Sequence, residues 1–434
     1  MRRISPQLPL PGIPAPRTAR PGYAEATYTL SAVTPVIGAG VEGGVVDMVT
    51  PIRGGTIRGL LRAWWRVFFN ARNLASLQTK ETEIWGWASS PGCVDVHIHD
   101  IVVGPIHDNW TYYEKLSMVS GINLSPDELD TARYLLFPLQ KPRQNRDAKP
   151  KSGVLEKLTF QLTVRCQEGD VEKHVRAALR GWVQFGGIGA RTHRGCGSLY
   201  CPDLSPAHVQ QAQGWPRAAP HDTGEWAVYK DPPLTQAPGL HPVRAWLKAA
   251  RVLRTFRQNP IGRTGRSRSH WPEPDSIRRI SGGGPSHHQD NLTDADNNFP
   301  RAELGLPIVF HFKDELANNS SLVGHTERMT SPLIFKALPF GDGTQALPAI
   351  LALNYRRWPD EVKLVFENSK SEHRPRHPLP DGRGSSDLTN SFLWKQAVLD
   401  PAVANYLKSP LHGRTKDGSA VEALLTYAKQ NGFK

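Results

Sequence analysis

Cysteine is scarce in this chain. Four residues, at positions 93, 166, 196 and 201 of 434, are too few and too scattered for a disulfide framework. That fits a reducing compartment, and a cytoplasmic location is expected. Long apolar runs are missing too. No stretch approaches the ~18 residues a spanning helix needs, so no membrane partner is expected. The first 22 residues, MRRISPQLPLPGIPAPRTARPG, start basic, but six prolines break the apolar core a signal peptide requires. They read as an extended tail. Acid is the third shortage. Against 53 Lys+Arg stand 40 Asp+Glu, a net charge of +13, which favours a polyanionic partner.

What is present is globular. Hydrophobic residues make up 39% of the chain, with 12 Trp, 10 Tyr and 14 Phe, enough for a real core. The 38 Gly and 37 Pro point to long irregular insertions. Tyr23–Val36 is rich in Thr, Tyr and Val and is expected to be a strand. Apolar residues at helical spacing predict a helix from about Thr56 to Arg72. The runs 93–103 and 155–166 alternate as strands. Val171–Phe185 is expected to form a second helix, ending at Gly186 as helices tend to. The short run GSLYC (197–201) closes the unit as a strand. The order β-α-β-β-α-β is the ferredoxin-like plan.

A long insertion separates Asp100 from Ser152, and a Pro-, Ala- and Gln-rich stretch follows residue 201. The chain therefore divides into a tail (1–22), an N-terminal domain (23–205), a linker (206–240) and a C-terminal domain (241–434). The C-terminal domain is expected to be a diverged second copy with helical additions. The fold class is α+β: tandem ferredoxin-like domains with a glycine-rich loop and long insertions.

Candidate functional residues fall in three groups. Arg58, Arg62 and Arg66 recur at i, i+4 and i+8, one stripe on the first helix, with Arg53 just before it. No acid lies between Asp47 and Glu81. Unpaired arginines beside Trp65 and Phe69 suit phosphate contact and base stacking. The second group is the loop GGIGARTHRGCGSLYC (186–201). It lacks the Gly-Lys-Ser/Thr of a phosphate-binding P-loop, and it leads from a helix into a strand, the reverse of a dinucleotide fingerprint. Gly187, Gly189, Gly195 and Gly197 are expected to let the backbone approach a ligand, and Arg191 and Arg194 to neutralise phosphate. His193 is either a further phosphate contact or a general base for RNA cleavage. The third group lies between Arg244 and Arg279: ten Lys/Arg face only Glu273 and Asp275. From it Arg251, Arg254, Arg266 and Arg268 join the expected RNA contacts. His97, His99 and Cys93, and the pair Cys196 and Cys201, are too sparse for a zinc set; no metal or cofactor is expected.

The glycine loop, together with TPIRGGTIRGLLRAWWR and IWGWAS, resembles the RAMP superfamily of CRISPR proteins. Within it, GRSRSHWPEPDSIRR, FPRAELGLPIVFHF and RMTSPLIFKALPF are similar to the first-numbered subunit family of the type III-B Cmr complex. The resemblance implies a non-catalytic RNA-binding subunit acting in antiviral defence. Such a subunit holds the 3′ region of the CRISPR RNA, the target RNA, or both, and partners other Cmr subunits. The alternative within the superfamily is a metal-independent endoribonuclease that processes CRISPR RNA with His193 as base.

Overall fold

The computed structural model describes residues 21–38, 42–69, 74–116, 121–141, 149–214, 227–230, 239–258, 271, 273–274, 277, 299–312, 319–324, 328–353, 361–366, 390–393 and 420–433. In chain order the first half carries β1 (Tyr23–Ala32), β2 (Val36–Ile37), α1 (Gly54–Phe68), α2 (Leu74–Trp85), β3 (Val94–Val103) and β4 (Ile106–Asp108). Then come α3 (Asn109–Glu114), α4 (Pro126–Leu136), β5 (Ser152–Leu155), β6 (Leu158–Gln167), α5 (Asp170–Phe185) and β7 (Leu199–Tyr200). The second half has α6 (Val209–Gly214), β8 (Ala227–Lys230), α7 (Pro242–Gln258), β9 (Ile308–Phe310), β10 (Ser320–Gly324) and β11 (Leu333–Phe340). It closes with β12 (Gln345–Ala352), β13 (Glu361–Phe366), β14 (Asn390–Leu393) and α8 (Ala420–Gln430).

The first sheet runs β3-β6-β1-β7. Its centre is the antiparallel β1–β6 pair, in register from Tyr23↔Gln167 to Ser31↔Thr159. Strand β6 alternates strictly: Leu158, Phe160, Leu162, Val164 and Cys166 are buried, and the residues between them are less so. The period of two puts all five on one face. Helices α1 and α5 cover that face with Ile57, Leu61 and Trp64 from the first, and Val175, Leu179 and Trp182 from the second. The insertion between β3 and β6 supplies β4 and β5, which join β2 in a small sheet ordered β2-β5-β4.

In the second half, β8, β11 and β12 form a sheet ordered β11-β12-β8, and α7 packs on it through Ala245, Trp246, Ala249 and Leu253. The stretch 206–240, read from sequence as a linker, thus contributes a strand: Ala227–Lys230 pairs with Ala349–Ala352 of β12. Its Pro- and Gln-rich flanks hid a four-residue strand too short to register as alternation. A fourth sheet, β14-β13-β10-β9, completes the half. Among the helical additions expected of the C-terminal domain was the run Ser391–Pro410, but its first residues fall in strand β14; the rest of the run lies outside the described residues, as do residues 1–20 of the tail.

The halves share a core. Leu135 and Leu136 of the insertion cluster with Trp246, Leu253, Phe335 and Leu424. Lys336 of β11 is buried, and its ammonium donates hydrogen bonds to the carbonyls of Gly186 and Val183 at the end of α5.

Candidate nucleic-acid interface

The first arginine stripe is not free. Asp47 accepts from Arg53, and Glu81 of α2 accepts from both Arg62 and Arg66, with Arg66 Nε 2.8 Å away. Burial raises the Glu81 carboxyl, and the two guanidinium groups more than offset it, leaving it below the usual carboxylate range. Arg58 turns inward and donates to the carbonyls of Val94 and Trp85, fastening α1 to β3 and α2. The sequence reading of an uncompensated stripe is therefore corrected. The acids that compensate it are the two that bracket the acid-free run, and the fold brings both back. Trp65 is buried and Phe69 stacks on it at 4.5 Å, so this pair belongs to the core.

The same holds on α7. Asp127 and Glu128 occupy the first turn of α4, where helix geometry favours acids. Asp127 pairs with Arg254 and with Arg251 Nε at 2.8 Å, and Glu128 with Arg244 at 3.0 Å. Arg251 keeps 60% of its side chain exposed. An ion pair that open contributes ~0–1 kcal/mol, little enough for a phosphate to displace. Arg266 and Arg268 lie outside the described residues.

The glycine loop is also buried differently from expectation. A Cβ at Gly187 would meet the Gly197 carbonyl, one at Gly189 that of Ile37, one at Gly195 that of Phe335, and one at Gly197 that of Ile188. These glycines admit the protein's own backbone, not a ligand. Gly195, at φ +84°, sits against β11 and the Trp246 ring; no side chain fits there. The loop is held by Thr34 Oγ1 donating to the Gly195 carbonyl at 2.7 Å and by Trp246 Nε1 donating to that of Arg194.

What the buried loop presents is a cavity of about 580 Å³ between the halves. Arg191, His193 and Arg194 enter it from the loop, Arg257 from the end of α7, and Arg301 and His311 from the chain around β9. No acid lines it. Arg191 Nε and Arg194 Nη1 are buried without a hydrogen-bond partner. Burial, with Arg257 and Arg191 nearby, pulls the Arg194 guanidinium down to about 10. Arg301 is steadied by the buried carboxylate of Glu273, 3.2 Å away, and by the Phe310 ring at 5.0 Å. His193 Nδ1 donates to the Ser331 carbonyl at 2.7 Å, and burial lowers its pKa from the ordinary histidine value. Arginines lining one space with buried donors unspent suit an anion.

Residues 29–200 match the sequence model of the RAMP superfamily. The match spans 172 of the 434 residues. Among solved structures the chain is similar to apo Cmr1 from Pyrococcus furiosus, at 12% identity over 81% of this chain and 92% of that one, with a TM-score of 0.46. It is similar also to a chain of the type III-B Cmr-beta complex bound to cognate target RNA. There the identity is 12% over 75% and 94% of the two chains, with a TM-score of 0.36. A comparison with curated proteins finds no match.

The matched segment holds α1 and nearly all of the glycine loop, whereas Arg257, Arg301 and His311 lie beyond it. Those three, with Tyr134 and Phe137 at the rim, were not singled out as contacts from sequence. Arg257 appeared only as one charge in a basic run, and Arg301 stands isolated in PRAEL. Among the described residues no three His, Cys, Asp or Glu gather as a metal set, and no helix is long and apolar enough to cross a membrane.

Proposed function

We propose that this chain is a non-catalytic RNA-binding subunit of a type III-B CRISPR ribonucleoprotein, contacting CRISPR RNA, target RNA or both alongside other Cmr subunits. The cavity lined by Arg191, Arg194, Arg257 and Arg301, with no acid among its described lining residues, carries the reading. Phosphate is the anion that such a space in a RAMP protein would meet. Arginine contacts to backbone fix an RNA strand in place and leave its sequence to be read by base pairing, an economy seen in other RNA-guided effectors. The tandem ferredoxin-like plan is part of the proposal. The order β3-β6-β1-β7 with α1 and α5 supports it, and β11-β12-β8 with α7 repeats the first three strands of that order.

The test is binding of single-stranded RNA across a salt series. The log–log slope for single strands is about −0.7 per neutralised phosphate. Gln at both Arg191 and Arg194 should flatten it, and an unchanged slope removes the cavity from the contact list. Incubation with repeat RNA in EDTA separates binding from processing: specific cleavage that His193→Ala abolishes would replace the non-catalytic reading.

A further inference from the structure

We propose that the interdomain cavity seats one ribonucleotide unit, its phosphate on Arg191 and Arg194 and its sugar hydroxyl on His193. This rests on the RNA-binding reading and narrows it to a single nucleotide drawn out of the strand.

Three observations carry the inference. The first is size. About 580 Å³ is far more than a bare phosphate fills and lies within the range of small-molecule sites. The second is the mixed character of its walls. Beside the guanidinium groups, Phe137, Leu306, Pro307, Val309 and Met329 line the cavity and supply apolar surface where a base would rest. Phe137 is 55% exposed and Val309 51%, so the apolar surface reaches solvent, as an entry for a strand-borne base requires. Arg191, positioned over the Phe137 ring at 5.8 Å, joins the two kinds of surface.

The third is the tautomer of His193. A carbonyl only accepts, so Nδ1 must carry the proton it gives to Ser331. With the ring neutral, Nε2 is an acceptor in a cavity lined by several arginine donors. A phosphate selects the arginines; a hydroxyl selects Nε2. The 2′-hydroxyl is the donor that travels with a phosphate in RNA and is missing from DNA. Arg191 adds a mark of its own: it is held at φ +63°, left-handed backbone uncommon for a residue other than glycine. Such outliers persist where the surroundings over-determine them, often at ligand sites.

The experiment uses the full chain and calorimetric titration with cytidine 5′-monophosphate, its deoxy counterpart and inorganic phosphate, followed by competition with a 12-nucleotide RNA. The ribonucleotide should bind about threefold to tenfold tighter than the deoxynucleotide, the worth of one net hydrogen bond, and RNA should displace it. His193→Ala should bring the ribonucleotide down to the deoxynucleotide level. Arg194→Gln should weaken both nucleotides, with Arg191→Gln as the second variant should the first not fold. Equal affinity for the two sugars, or a mononucleotide that RNA does not displace, would overturn the inference. RNA that binds while neither mononucleotide nor phosphate does also overturns it and leaves the RNA reading standing. Failure of RNA to bind at all brings down that reading as well.

Discussion

Glu81 accepts a hydrogen bond from Arg62, nineteen positions earlier, and shares the same oxygen, Oε1, with Arg66. Helix α2 thereby returns an acid to the arginine stripe of α1, and the carboxylate is 4% exposed. Replacing Glu81 with Gln removes the negative charge that Arg62 and Arg66 share. We expect a loss of ~1–3 kcal/mol in stability, together with tighter, more salt-sensitive RNA binding as two arginines are released. Urea unfolding and filter binding at two salt concentrations measure both. Because its folded pKa is depressed, Glu81 stabilises the fold above its ordinary value of 4.5, and this contribution is lost as pH falls through the lower folded value. The E81Q variant should lack that acid limb.

Arg194 sits in the cavity at a cost. Its pKa near 10 against an ordinary 12.5 corresponds to roughly 3 kcal/mol of folding free energy forgone at neutral pH. Arg194→Gln should therefore raise the melting temperature in phosphate-free buffer while weakening RNA binding. A variant both less stable and fully able to bind would contradict the assignment of this residue.

Lys336 is buried and its ammonium is pulled down to about 7 by loss of hydration. A base with a depressed folded pKa disfavours folding at low pH, and the penalty lifts as pH rises from about 7 towards its unfolded 10.5. The wild-type urea midpoint should climb between pH 7 and 9. In K336M that climb should shrink, and a parallel climb in both proteins would show that other groups carry it.

Gly195→Ala should be among the most damaging single changes in the chain. The added methyl would overlap the Phe335 carbonyl and the Trp246 ring at a backbone angle that L residues rarely adopt. We expect a loss exceeding ~2 kcal/mol, read by denaturant unfolding. Gly43→Ala, where a Cβ meets nothing within 4 Å, is the matched control.

Local signals were legible and distant ones were not. The apolar spacing of α1 and α5 and the alternation of β3 and β6 were read to within a few residues, because each pattern lies in the segment that folds. Arg191, His193 and Arg194 line the same cavity, and the sequence groups them because four consecutive residues carry all three. Their partners were out of reach. Nothing in residues 54–68 tells that Glu81 will return to them, nor does α7 announce Asp127 on the helix opposite. The assumption that glycines serve a ligand failed for a related reason: Gly195 faces β11, some 140 positions later in the chain, and close approach looks the same in sequence whichever backbone arrives.

The cavity between the halves has a mechanical consequence. Loop residues 191–194 form one jaw, and Arg257, Arg301 and His311 form the other. A guest gripped by both jaws becomes a crosslink, and its affinity adds to the cohesion of the chain as RT ln(1 + [L]/Kd). The empty protein would hold mutually repelling cations across that seam. Loading with RNA would then act as the final step of assembly, and slowed amide exchange on α5 and α7 together would report it.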